Sequence, residues 1–184
     1  MEQKKFLDKE RLETLAVEAG NGDENASAEI ISMIYPEIYR FVHYRVSQTE
    51  DVEDLTNDIF VRMLKNIENQ EGSFLAWIYQ IARNRIVDYY RKQSVRDETN
   101  PVGEIIETYQ GGEEDIEERF QRQELRKAIN RLTDEQQEVV ILRFIEGYQA
   151  NEVAEMLGKS PGAVRTQQYR ALRQLKKHLP ENNL

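Results

Sequence analysis

The sequence contains no cysteine and only two histidines among its 184 residues. Without thiols the chain forms no disulfides, no zinc sites built on cysteine and no thiol nucleophile. His43 and His178 are far apart in sequence and leave little for metal or acid–base chemistry. The sequence also lacks a P-loop and a glycine-rich phosphate cradle. We therefore expect no metal, no cofactor and no catalytic residue, and we interpret the chain as a protein other than an enzyme.

Long apolar runs are missing as well. No stretch approaches the ~20 apolar residues that a membrane-spanning helix needs. The first residues, MEQKKFLDKERLE, lack the apolar core of a signal peptide. These absences predict a protein without a membrane span that stays in the cytoplasm.

Proline is scarce and alternating apolar patterns hardly occur, so the spacing predicts an all-α fold. Residues 1–95 form a first small helical domain in this interpretation. Its first helix ends near Ala19 and its second near Tyr35, and a third helix begins at Pro36. The fourth covers DVEDLTNDIFVRMLKNI, and the fifth follows the natural cap Ser73. The predicted core of this domain comprises Ile38, Phe41, Val42, Val46, Val52, Leu55, Ile59, Met63, Ile67, Phe74, Trp77, Ile78, Ile81 and either Ile86 or Val87.

A strongly acidic segment follows. DETNPVGEIIETYQGGEEDIEE, residues 97–118, has nine acidic residues and no basic one, which equals the chain's net charge of −9. The rest of the chain is therefore neutral in sum, and the low pI is no argument against nucleic-acid binding. Charge repulsion and the Gly and Pro content predict a flexible linker over 96–118, within which GEIIETY has the composition of a short ordered segment.

The remaining residues, 119–184, are predicted to form a second small helical domain. Thr133 and Gln136 have the spacing of a capping box, and Gly147 ends the helix that it opens. The spacing of Ala154, Gly158 and Val164 is typical of a helix-turn-helix, in which two helices cross closely around a tight turn. The predicted inward positions of these two helices are Val153, Ala154, Leu157, Val164, Ala171, Leu172 and Leu175.

The second helix of this motif is basic: six Lys or Arg and no acidic residue lie between Lys159 and His178. Such a helix enters the DNA major groove by its N-terminal end. We expect Arg165 and Thr166 to contact bases and Lys159, Arg170 and Arg173 to contact phosphates. Ser160 is the expected N-cap, the first amides attract anions, and Gly162 permits close approach of the backbone. The alternative is a solvated basic helix in a bundle.

Three blocks of the sequence, which begin at Asp51, Phe74 and Leu132, follow one another over nearly the whole chain. Their order resembles the sigma-70 family of bacterial RNA polymerase sigma factors, in its small extracytoplasmic-function (ECF) group. DVEDLTNDIFVRML resembles region 2.2 of that family, and FLAWIYQIARNRIVDYYRK resembles regions 2.3 and 2.4. LTDEQQEVVILRFIEGYQANEVAEMLGKSPGAVRTQQYRALRQL resembles region 4. This chain departs from the family's usual pattern at three positions. It has Gln167 and Gln168 where the family usually has at least one leucine, and Lys159 where an apolar residue is frequent.

This resemblance implies a transcription initiation factor with a region 2 domain, an acidic linker and a region 4 domain. The implied partners are core RNA polymerase, through its β′ clamp helices and β subunit, promoter DNA, and an anti-sigma factor as a further candidate. It assigns polymerase binding to Asp54, Asn57 and Asp58. Promoter −10 binding and melting fall to Asn84, Arg85, Asp88, Tyr89, Arg91 and Lys92, and −35 binding to the recognition helix around Arg165.

Other classes of protein fit the sequence less well. A stand-alone helix-turn-helix regulator of the response-regulator kind has the same C-terminal motif, but its α/β receiver domain needs strands that residues 1–95 do not supply. The fifth helix is basic in its second half, where Asp88 is outnumbered by Arg83, Arg85, Arg91 and Lys92, with Arg96 just beyond. A helical adaptor that binds only proteins leaves this basic face, and the one on the helix after Lys159, without a role.

Overall fold

The computed structural model describes residues 2–97 and 116–179, with side chains at 9–94 and 121–179. Every regular element within these ranges is helical, which confirms the all-α prediction. None of the described helices is long and apolar enough to cross a membrane. The α-helices are α1 (Glu2–Gly20), α2 (Glu24–Arg45), α3 (Glu50–Asn66), α4 (Phe74–Asp97), α5 (Ile116–Asn130), α6 (Asp134–Val140), α7 (Ala150–Leu157) and α8 (Pro161–His178).

The chain divides into two compact units. The first comprises Met1–Val42 and Asp51–Val102, and the second His43–Glu50 and Gly103–Leu184. The short segment His43–Glu50 thus groups with the C-terminal residues, whereas the sequence predicts a single cut at 96–118. Most of that predicted linker, including GEIIETY, lies outside the described residues.

In the first unit, the prediction of two helices meeting at Pro36 is wrong, because α2 is continuous through this proline. Proline lacks the N–H that would bond to the preceding turn, which usually ends or kinks a helix. Here Ile30 and Ile34 before the proline and Ile38 after it form one fully buried stripe. Burial of this stripe offsets the lost hydrogen bond.

Helix α1 contacts the start of α4. Both carboxylate oxygens of Glu13 accept from the backbone N–H of Phe74, at 2.9 and 3.1 Å, and Ser73 Oγ accepts from the N–H of Ala76 at 3.4 Å. The predicted cap at Ser73 is confirmed, and Glu13 is a second cap from a distant helix. Within α4, Ile86 is buried and Val87 is 57% exposed, so Ile86 is the core residue of the two. Trp77 and Ile81 are only half-buried.

The second unit follows the predicted caps closely. Gln136 accepts from the N–H of Thr133 at 3.3 Å, as expected for a capping box at the start of α6. After Val140 the helix continues as a π-helical segment, Ile141–Ile145, before the positive-φ Gly147. Two predicted core positions are wrong: Leu172 is 41% exposed, and Met156 rather than the half-buried Leu157 is the buried residue at the end of α7.

Segment 43–50 of this second unit is held by Arg126 of α5. The Arg126 guanidinium donates to the carbonyl oxygens of His43 at 2.9 Å and Val46 at 2.6 Å and to Thr49 Oγ1 at 3.0 Å. Arg126 is buried, and a buried cation is tolerated only when its donors are satisfied in this way. Burial and then the charge of Arg126 lower the pKa of His43 to about 4.

Candidate nucleic-acid interface

Helix α8 begins in the geometry that a helix-turn-helix requires. Gly158 lies in the left-handed region, with φ 61° and ψ 36°, and ends α7. Ser160 Oγ accepts from the N–H of Ala163 at 3.2 Å, and Pro161 is the first helical residue. At Gly162 an added Cβ meets only Ser160 Oγ, at 3.9 Å, so no internal contact demands glycine there. The N-terminal turn of α8 is thus open to the approach of another molecule.

The outer face of α8 carries the basic residues predicted from the sequence. Arg165, Thr166, Arg170 and Arg173 are all exposed. The Thr166 hydroxyl donates to the carbonyl oxygen of Gly162 at 2.9 Å, which leaves its oxygen as an acceptor. The Arg173 guanidinium lies 5.9 Å from the ring centre of Tyr169. No acidic residue occurs on this helix, so its outer face is positive.

Three polar side chains at or near the start of α8 form hydrogen bonds within the second unit: Lys159, Gln167 and Gln168. The carboxylate of Glu135 accepts from Lys159 Nζ at 2.6 Å and from Gln167 Nε2 at 2.8 Å. Gln168 Oε1 accepts from Arg143 Nε at 3.2 Å. The three residues at which this chain departs from the family's usual apolar pattern are therefore each held by a polar partner within the second unit.

The predicted −10 residues on α4 divide into two groups. Asn84, Arg91 and Lys92 are exposed, and Arg91 pairs with Asp88 at 3.2 Å. Gln80 donates to Asn84 Oδ1 at 2.8 Å. These three side chains, together with the half-buried Asp88, lie on the outside of the first unit.

Arg85 and Tyr89 instead connect α4 to α3. Arg85 pairs with Asp58 and, at 3.3 Å, with Asp88. The Tyr89 hydroxyl donates to Asp51 Oδ2 at 2.7 Å, and burial followed by this hydrogen bond raises the pKa of Tyr89 well above its ordinary value. Arg85 and Tyr89 thus join the second half of α4 to α3, through Asp58 and Asp51.

The predicted polymerase-binding residues lie on α3. Asp54 and Asn57 are exposed, and Asn57 Oδ1 accepts from the Tyr35 hydroxyl at 3.4 Å. Burial would raise the pKa of Asp58, but the guanidinium groups of Arg85 and Arg62 outweigh burial and hold that pKa below its usual range. Asp58 therefore belongs to the ion pairs between α3 and α4 as well as to the surface.

Sequence reasoning missed two apolar residues on this face. Val61 and Leu64 are 45% and 43% exposed, and they follow Asp54 and Asn57 at helical spacing of three and four residues. The sequence could have indicated their exposure, because helical spacing places both outside the buried stripe of Val52, Leu55, Ile59 and Met63. We call Asp54, Asn57, Val61 and Leu64 the α3 stripe.

Comparisons with known proteins identify the family of the chain. The sequence-family model of sigma-70 region 2 matches residues 30–96, and the sequence-family model of sigma-70 region 4 matches residues 122–175. The chain is 34% identical over 181 residues to the ECF RNA polymerase sigma factor BldN of Streptomyces coelicolor, with 95% of this chain and 68% of that protein covered.

Solved structures show the same fold. CnrH, in complex with the cytosolic domain of CnrY, superposes with a TM-score of 0.69 at 22% identity, over 89% of this chain and 94% of that one. The sigma factor RpoE of Bartonella quintana, in complex with the anti-sigma factor NepR, gives 0.65 at 23% identity, over 82% and 94% of the two chains. The chain belongs to the ECF sigma factors of the sigma-70 family, the class of transcription initiation factors.

Proposed function

We propose that the α3 stripe binds core RNA polymerase, that the outer face of α4 binds and opens the promoter −10 element, and that α8 reads the −35 element. The polymerase then performs all catalysis, whereas this chain selects the promoter and helps to open the DNA strands without a cofactor. A protein with this task works in the cytoplasm, where the polymerase is.

The observation that carries the proposal is the outer face of α8. Arg165 and Arg170 are exposed, and among the side chains described at 9–94 and 121–179 neither has an ion-pair or hydrogen-bond partner. Both follow an open, capped N-terminus whose backbone amides attract anions. In a chain of net charge −9, exposed arginines that form no ion pair within the described side chains are best explained by a polyanion that pairs with them.

An anti-sigma factor is the second proposed partner. The support is that the sigma factor RpoE of Bartonella quintana, which has the same fold, is seen in complex with the anti-sigma factor NepR. The alternative function, a stand-alone helix-turn-helix regulator, does not explain why residues 30–96 match sigma-70 region 2.

Reconstitution with core polymerase tests the proposal. The chain is added to core enzyme on a library of promoter fragments, and the 5′ ends of the transcripts are sequenced. We expect initiation at defined sites that share an upstream and a downstream element. Initiation no different from that of core polymerase alone would overturn the proposed function.

A further inference from the structure

One carboxylate contacts both the turn before α8 and the second turn of α8. Glu135 lies in the first turn of α6; its Oε1 accepts from Lys159 Nζ at 2.6 Å and its Oε2 from Gln167 Nε2 at 2.8 Å. The hydrogen bond from Lys159 and its positive charge lower the pKa of Glu135. The carboxylate side chain is 51% exposed and the lysine side chain 25% exposed. Glu135 thus joins three separate parts of the second unit.

The N-terminal half of α8 has little apolar anchorage of its own. The buried residues of this helix are Val164, Ala171 and Leu175, so only Val164 packs in its first two turns. At the neighbouring positions Gln167 contacts Glu135, and Gln168 contacts Arg143, which also donates to the carbonyl oxygen of Tyr148. Polar contacts therefore take the place of apolar packing at the end of α8 that faces DNA in the proposed function.

We propose that Glu135 is a positioning residue for promoter recognition: through Gln167 it fixes the orientation of α8, and through Lys159 it neutralises a charge that would otherwise contact DNA nonspecifically. This inference rests on the proposed reading of the −35 element by α8. Hydrogen bonds to bases depend steeply on angle, so a small rotation of α8 alters which bases Arg165 and Thr166 reach. The engaged Lys159 adds less sequence-independent attraction than a free lysine does.

The two effects separate in a series of substitutions at one position. Glu135→Ala removes both contacts. Glu135→Gln keeps an oxygen that accepts from Gln167 but loses the charge that holds Lys159. We therefore expect Glu135→Ala to change base preference and Glu135→Gln to restore most of it. Both variants free Lys159, so the slope of log binding constant against log salt concentration steepens by about 1 in each.

The experiment uses holoenzyme made from core polymerase and the full chain, selected on a promoter library with a randomised upstream element. In Glu135→Ala we expect the preference for the best base at the most selective position to fall about fivefold or more, the lower end of what a base contact supplies. Glu124→Ala is the matched control, because it removes the partner of Lys127 at 3.0 Å on α5 and changes the net charge equally. This control should keep the wild-type preference.

A second variant guards against loss of folding at Glu135. Gln167→Ala places a strong helix former at a half-buried position of α8, so the helix is retained. If Gln167 acts through Glu135, the double variant shifts preference no more than either single variant does. Additive shifts would overturn the inference.

The outcomes distinguish this inference from the proposed function. A wild-type holoenzyme that enriches no upstream element overturns the proposed function, and this inference with it. A wild-type holoenzyme that enriches one, with Glu135→Ala enriching the same element equally strongly, overturns this inference alone. A changed preference in Glu135→Ala with rescue in Glu135→Gln supports it, because a merely structural loss would weaken all sequences alike.

Discussion

At the scale of single residues, two basic side chains of α8 are expected to act differently. Arg165 is exposed one turn from the N-terminus of α8, whereas Lys176 is exposed in its last turn. A base contact is worth ~1–3 kcal/mol, and a phosphate contact mainly changes the salt dependence. Arg165→Ala should therefore relax base preference at one upstream position. Lys176→Ala should weaken binding to all sequences alike.

Binding of holoenzyme to the selected promoter and to random DNA over a series of salt concentrations measures both effects. If both variants lose equal affinity for the two DNAs, Arg165 does not contact a base and the assignment of base contacts on α8 is wrong. In that case Gln167 and Gln168 are the next residues to test for base contacts.

His43 gives a residue-scale prediction about pH. Its folded pKa is about 4, below the ~6.5 of histidine in an unfolded chain. Between these values the unfolded chain binds more protons than the folded one, so this contribution to stability is complete above about pH 6.5 and is lost as the pH falls towards 4. Because His43 is partly exposed, we expect a loss of only about 1 kcal/mol by pH 5.

Urea unfolding followed by circular dichroism at pH 7.5 and pH 5 tests this. His43→Gln should show a smaller drop in stability between the two pH values than the wild type does. His178→Gln removes the other histidine, on α8, and is the matched control. An unchanged drop in His43→Gln would mean that other groups cause the pH dependence.

At the scale of helices, the contact of α1 with the start of α4 is expected to contribute measurably to stability. Glu13 accepts from the N–H of Phe74 with both oxygens, and a lost N-terminal cap costs ~0.5–2 kcal/mol. Glu13→Ala should destabilise the first unit by about 1 kcal/mol. Trp77, the only tryptophan and three residues beyond Phe74, gives the fluorescence signal for urea unfolding.

Glu10→Ala is the control, because Glu10 is an exposed residue of the same helix. It should unfold at the wild-type urea concentration. A Glu13→Ala variant as stable as this control would mean that Ser73 alone caps α4 sufficiently.

Most helices could be predicted from the sequence because their signals are local. The caps at Ser73, Thr133 and Ser160 are each defined by a few neighbouring residues, and all three are observed. The continuity of α2 through Pro36 could not be predicted, since it depends on a buried stripe that only tertiary packing completes. Exposure of Leu172 likewise depends on which helices cover that side of α8.

The candidate site could likewise be predicted where its signals are local, but not where residues far apart in the sequence meet. The outward basic residues of α8 follow from charge and helical spacing. The engagement of Arg85 with Asp58 and of Tyr89 with Asp51 joins residues 27 and 38 positions apart in the chain. Such pairs have no periodic signal, and Glu135 with its two partners escaped notice for the same reason.

At the scale of the whole molecule, charge is distributed unevenly along the chain. Residues 97–118 carry nine acidic groups and no basic one, so the remaining residues are neutral in sum. A net negative protein is repelled by DNA at long range even when one helix is basic. We therefore expect the protein alone to bind promoter DNA poorly and to require core polymerase for specific recognition.

Charge reversal on the α3 stripe is the sharpest test of that dependence. Asp54 is exposed and has no hydrogen-bond or ion-pair partner within the described part of the chain. Surface substitutions of this kind usually change stability by no more than about 0.5 kcal/mol. Asp54→Arg should therefore unfold at the wild-type temperature while it abolishes core binding and run-off transcription. Val61→Asp, on the same stripe, should act likewise.

Glu18→Arg is the matched control, since it makes the same charge reversal at an exposed position of α1. It should retain core binding and transcription, because α1 contributes no residue to the α3 stripe. Normal transcription by Asp54→Arg would refute the assignment of the α3 stripe to polymerase binding. Tight sequence-specific binding by the wild-type protein without core polymerase would instead favour a stand-alone regulator, because the second unit would then suffice for recognition.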